Sequence, residues 1–167
     1  MKENRGQVAL EFLLTYGWAV LILTVVALLL WQMGLFNITG KVAPGTSGFW
    51  GVAPYEDFAY NKGKTLRIPI SNRIGANVTI LGINVTFQGM STYEESSLSD
   101  VSDNMDGSAE IAPGDTKVWT SPAAAQAVFP QFSAGSNFNV FVTLAYNDSR
   151  TGETYLSSGW MWGNVEQ

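Results

Sequence analysis

FLLTYGWAVLILTVVALLLWQMGLF, from Phe12 to Phe36, contains no Lys, Arg, Asp or Glu. About 20 consecutive apolar residues can cross the hydrocarbon core of a bilayer as an α-helix, and this run is longer. Its interruptions are Thr15, Thr24, Gln32 and two glycines. A threonine hydroxyl in such a helix can donate to the carbonyl one turn back, so neither threonine breaks the reading. Tyr16 and Trp18 stand near one end, Trp31 and Phe36 near the other, where amphipathic rings meet the membrane interface. The run is apolar on every side, so it requires lipid or protein all round.

Outward from this run, the chain divides in two. Lys2 and Arg5 precede it and keep the N-terminus cytoplasmic. Beyond Gly40 the chain turns polar, rich in Gly, Ser, Thr and Asn, and carries the net charge of −5. An acidic balance opposes nucleic-acid binding, which needs a basic footprint. The 167 residues include no cysteine and no histidine. Disulfides, thiolate chemistry, imidazole bases and the commonest transition-metal ligands are therefore excluded. No enzyme activity and no cofactor are expected.

Glu11 is the informative charge. It follows Val8, Ala9 and Leu10 and directly precedes the uncharged run. A carboxylate at the centre of a membrane helix costs about 2.5–3.5 kcal/mol on insertion scales, and less near an end. It needs a positive partner, or it must snorkel to the headgroups as in a plain anchor.

The segment Arg5-Gly6-Gln7-Val8-Ala9-Leu10-Glu11 resembles the class III signal peptide of archaeal type IV pilins. In that family a prepilin peptidase cuts after a basic residue plus Gly, and Glu stands fifth after the cut. The resemblance implies a processing site at Arg5, Gly6 and Gln7, with residues 1–6 as a removed leader. Ala9 stands where the family favours Ser, and Thr15 where it favours Leu. Cutting before Gln7 would create an amine one helical turn from Glu11. Glu11 can then neutralise that amine in its own chain or in a neighbour, setting register between subunits.

Residues 7–40 are expected to form the membrane and filament-core helix, exposing Phe12, Leu13, Leu14, Tyr16, Trp18, Leu21, Val25, Leu28 and Trp31 for packing. Small residues Ala9, Gly17, Ala19, Ala27 and Gly34 allow close helix approach. The implied partners are copies of the chain itself as a homopolymer, the prepilin peptidase, an assembly platform with its ATPase, and the membrane before assembly. Adhesion is the role the resemblance implies. A single-copy anchored surface binding protein or minor pilin is the alternative, and a carboxylate-based surface glycosidase a more remote one.

Lys41 to Gly48, KVAPGTSG, reads as a linker, and residues 49–167 as an exported head. Leu66, Ile68 and Ile70 alternate, with Pro69 suggesting an edge strand. In Asn77 to Phe87, Val78 and Ile80 fit one register and Ile83, Val85 and Phe87 the other, which predicts a bulge at Leu81-Gly82. Pro113-Gly114-Asp115 predicts a turn, followed by a strand over Thr116 to Thr120. Phe138, Val140, Val142, Leu144 and Tyr146 line one face of a strand, with Glu153 to Trp162 returning as its hairpin partner. Ala123 to Val128 suits a short helical turn, and Gln88 to Ser108 a long exposed acidic loop. The fold class is thus α+β: a long apolar helix, then an all-β immunoglobulin-like antiparallel sandwich.

Sequons at Asn37, Asn77, Asn84 and Asn147 are candidates for N-glycosylation on an exported head. Asp100, Asp103, Asn104 and Asp106 gather oxygen ligands but do not follow the EF-hand pattern, so no metal is expected. Trp119, Trp160 and Trp162 suit either core packing or an aromatic binding platform.

Overall fold

The computed structural model describes residues 4–32, 42–87, 92–96 and 98–167. Two compact units divide at Gly40 and Lys41. The first contains α1 (Asn4–Gln32). Thr15 and Thr24 donate to the carbonyls of Glu11 and Val20, both at 2.8 Å, which satisfies each hydroxyl within the helix. Leu14–Gln32 is long and apolar enough to cross a membrane. Its 19 residues rise about 28 Å, close to the ~30 Å hydrocarbon thickness. In the full chain α1 runs from Asn4 to Gln32, and residues 33–40 of the expected helix over 7–40 lie outside the described part.

The second unit is built from β1 (Gly45–Ser47), β2 (Val52–Pro54), β3 (Ala59–Asn61), β4 (Leu66–Asn72), β5 (Val78–Phe87), β6 (Thr92–Glu95), α2 (Leu98–Asp103), β7 (Glu110–Ile111), β8 (Thr116–Thr120), α3 (Ala123–Val128), β9 (Asn137–Asp148) and β10 (Thr154–Glu166). One ladder runs β1-β10-β9-β5, with β6 and β7 sharing the far edge of β5. The other centres on β4, with β8 on one side and β2 and β3 on the other. All these pairs are antiparallel. A short parallel pairing of Val165 with Tyr60 joins the ladders into one large, mostly antiparallel sheet.

Alternation decides which side chains enter the core. Leu66, Ile68 and Ile70 of β4 are fully buried. So are Val140, Val142 and Leu144 of β9, in the same apolar cluster. Each such side chain stabilises the fold by about 1.5–3 kcal/mol. Tyr60, Phe87, Phe129 and Phe138 close one region of the cluster, with ring centroids 5.1 to 6.3 Å apart. The β5 bulge falls where the alternation slips: the register against β9 shifts between Ile80 and Gly82. Val78, Ile80, Ile83, Val85 and Phe87 all face the core as a result.

Three sequence expectations change. Pro69 is not on an edge, because β4 has neighbours on both sides. Its missing N–H faces the gap between β2 and β3, where its carbonyl accepts from Tyr55 N at 2.7 Å. The β2–β4 ladder ends at this point because Pro69 can return no hydrogen bond. The expected linker is partly strand: Gly45–Ser47 pairs with β10. Gly45 permits this pairing, since a Cβ there would come 2.7 Å from Cζ2 of Trp162.

Nor is the acidic stretch from Gln88 to Ser108 simply an exposed loop. Among its described residues are β6 and α2, and Glu95, Val101 and Met105 are buried. Glu95 pairs with inward-facing Ile83, which carries its carboxylate into the interior. Trp119 Nε1 of β8 donates to Glu95 Oε2 at 2.9 Å, and Asn104 Nδ2 to Oε1 at 2.6 Å. Both oxygens are thereby satisfied, and the two ladders are tied through one carboxylate.

Candidate assembly helix and head surface

Arg5, Gly6 and Gln7 lie in the first turns of α1, so the backbone of the expected processing site is helical. Glu11 follows one turn after Gln7 and is exposed, with no ion-pair partner among the described residues. Phe12, Leu14, Tyr16, Trp18, Leu21, Val25, Leu28 and Trp31 are all exposed. The side chain of Leu13 is outside the described part. Phe12 and Tyr16 stack with ring centroids 4.7 Å apart. A Cβ placed on Gly17 would meet nothing within 4 Å, so that position is open to a neighbour. The helix thus presents unsatisfied apolar surface around its circumference with one carboxylate near its start. In water each Å² of that surface costs about 25 cal/mol.

The sequons are placed differently from one another. Asn77 is exposed and its Nδ2 donates to Glu110 Oε1 at 2.9 Å across the strand edge. Asn84 is half-buried on β5, where its Oδ1 accepts from Thr86 Oγ1 at 3.2 Å. It lines a cleft of about 340 Å³ together with Leu81, Glu94, Thr143 and Leu156. Asn147 Nδ2 donates to the Gly152 carbonyl at 2.8 Å, closing the β9–β10 turn. Asn37 lies outside the described residues.

Compared with known proteins, the sequence matches no family model and no curated protein.

The three tryptophans considered together do not form one platform. Trp119 is fully buried and serves Glu95. Trp160 and Trp162 point outward from β10, Trp160 edge-on to Phe141 at 5.1 Å and Trp162 over Gly45. Asp103 and Asp106 are exposed, and Asn104 is engaged by Glu95. The side chain of Asp100 is outside the described part, and no acidic group suited to a metal occurs among the described residues.

Sequence reasoning missed a second aromatic site. Trp50, Tyr146, Tyr155, Asp148 and Arg150 line a cavity of about 160 Å³ beside the β9–β10 turn. Asp148 is buried and accepts from Arg150 N, Nε and Nη2 at 2.9, 3.2 and 2.8 Å. Those hydrogen bonds hold its carboxyl below the usual carboxylate range and raise the Arg150 guanidinium in turn. Burial, with the charge of Asp148 nearby, pushes the Tyr146 phenol up. Nothing local in sequence links Trp50 to Tyr155; only the strand register brings them together.

Proposed function

We propose that this chain is a structural subunit of an extracellular filament of the archaeal type IV pilus kind. Before assembly, α1 would sit in the cytoplasmic membrane. After cleavage between Gly6 and Gln7 by a prepilin peptidase, it would pack with copies of itself on an assembly platform driven by an ATPase. The head, read as an immunoglobulin-like sandwich, would face the outside and serve adhesion, with Asn77 the most accessible glycan position among the described sequons. Two antiparallel ladders feeding one apolar cluster support the sandwich reading.

The observation that carries the proposal is α1 itself: apolar side chains exposed on all sides, and one carboxylate a turn after the expected cut. Lipid tails are as apolar as leucine, so transfer from bilayer to filament core gains little hydrophobic energy. The Glu11 charge can then decide register, because an unpaired buried charge costs roughly 3–5 kcal/mol.

The test is the mass and N-terminal sequence of the chain in sheared extracellular filaments, paired with Glu11→Gln. Chains starting at Gln7 and abundant in the sheared fraction, with assembly reduced at least tenfold in the variant, are expected. Uncut chain confined to membranes would leave the single-pass anchored binding protein instead. Wild-type assembly by exported Glu11→Gln subunits would remove the register role.

A further inference from the structure

We propose that the cavity at the β9–β10 turn binds a carboxylate-bearing sugar, of the uronic-acid class, on the head surface. Trp50 is 75% exposed, the most exposed large apolar side chain among the described residues of the head. Its backbone is nevertheless fixed. Trp50 N donates to Ser157 Oγ at 3.0 Å, and its carbonyl accepts from Val52 N at 2.9 Å. Gly51 follows with φ +75, a conformation that suits glycine. There a Cβ would press on Ile74 and the Tyr146 hydroxyl at 3.0 to 3.2 Å. The turn therefore holds an indole in solvent that simple burial energetics would place inside.

The cavity's second exposed aromatic ring is Tyr155, 38% exposed, which lies against the buried Tyr146 ring. Tyr146 and Tyr155 stand 5.8 Å apart at a 31° tilt, and the Tyr155 hydroxyl donates to Thr151 Oγ1 at 3.3 Å. Flat aromatic faces take the C–H face of a pyranose ring, which is apolar on one side and hydroxylated at its rim.

The polar chemistry selects within sugars. The buried Asp148 carboxylate already accepts three N–H groups from Arg150, so it offers little to a ligand hydroxyl. The Arg150 side chain is 57% exposed, and its guanidinium has five N–H donors. Two of these bind Asp148, so three remain for a ligand. The cavity thus offers one cationic donor fork, fixed by a buried partner, beside the hydroxyls of Thr151 and Tyr155. Carboxylate geometry matches that fork. A uronic acid supplies an apolar ring face and a carboxylate in one unit, and a cavity of about 160 Å³ admits a small ligand rather than a long chain.

The chain enters the head at Val42, whose carbonyl accepts from Asn164 Nδ2 at 3.2 Å. Thr154 lies about 33 Å further along β10, at the turn beside the cavity. The proposal relies on the filament reading only for its presentation to the outside. Its test needs no filaments, so the two can fail separately.

Saturation-transfer NMR on the full chain in detergent micelles, titrated with methyl β-D-glucuronide, methyl β-D-glucoside and inorganic phosphate, decides it. Saturable glucuronide binding is expected, about tenfold weaker for the glucoside and about tenfold weaker in Trp50→Ala and in Arg150→Gln. No glucuronide signal, or binding unchanged in Trp50→Ala, overturns the site. Equal affinity for the glucoside, or full displacement by phosphate, overturns the uronic-acid assignment. Should Arg150→Gln fail to fold, Trp50→Ala and the ligand comparison still decide the outcome.

Discussion

Trp119→Phe combined with Glu95→Met in a double-mutant cycle tests how the two ladders of the head are joined. Trp119 is fully buried and Glu95 is 3% exposed. The 2.9 Å bond from the indole N–H to Oε2 therefore lies in the interior. A hydrogen bond to a charged group contributes about 1.5–3 kcal/mol net, and orphaning a buried carboxylate oxygen costs at least as much. Trp119→Phe also removes ring volume and leaves a void worth roughly 1–2 kcal/mol. The single variant should thus lose about 3–5 kcal/mol. Glu95→Met removes the charge and also deprives Asn104 of this acceptor. Because Asn104 is affected equally in both backgrounds, its share cancels in the cycle. The coupling energy should come out at about 1.5–3 kcal/mol, with the double variant far less damaged than the sum of the singles. Equilibrium urea unfolding of the full chain in detergent, followed by far-UV circular dichroism, gives the four free energies. A coupling below about 0.5 kcal/mol would refute the reasoning, since the indole–carboxylate bond would then contribute nothing to joining the ladders.

Two further outcomes follow from the head. Gly159→Ala should destabilise it by about 1–3 kcal/mol in the same unfolding assay. The added Cβ would lie 2.3 Å from the Ser47 carbonyl oxygen and 2.7 Å from the Phe49 ring, and a backbone oxygen cannot swing aside. Tyr60 is fully buried, its hydroxyl donates to the Pro130 carbonyl, and burial raises its pKa from 10.0 to about 12. The unfolded chain therefore releases this proton first as pH rises. Stability is intact below pH 10 and falls between 10 and 12, by up to about 3 kcal/mol from this group. Unfolding midpoints measured from pH 9 to 12 should decline less steeply in Tyr60→Phe; parallel declines would show that other groups govern the alkaline limit.

How much of this was legible beforehand depends on the range over which each feature is specified. The β5 bulge was readable because Ile80 and Ile83 break a two-residue period within one short segment, and the ladder shift falls between Ile80 and Gly82. The strand over Thr116 to Thr120 and the short helix over Ala123 to Val128 were equally local, set by turn residues beside them. Glu95 was unreadable as an interior residue. In sequence it belongs to a polar acidic stretch, and only pairing with Ile83 and the approach of Trp119, 24 positions on, give it a reason to be buried. Pro69 misled because its missing donor suggests an edge, whereas two short strands leave a gap for it inside the sheet.

The candidate site divides along the same line. The apolar run, the basic residues before it and the isolated Glu11 were complete in the first quarter of the chain, since a helix exposes its whole circumference and no partner is needed to read it. The cavity lined by Trp50, Asp148, Arg150 and Tyr155 was decided only in three dimensions. Asp148 and Arg150 are near neighbours in a turn, but Trp50 reaches them through the placement of β1, β9 and β10. Periodicity along the chain records which face a side chain takes. It does not record which distant strand lies opposite, and that register is settled by the packing of the whole core.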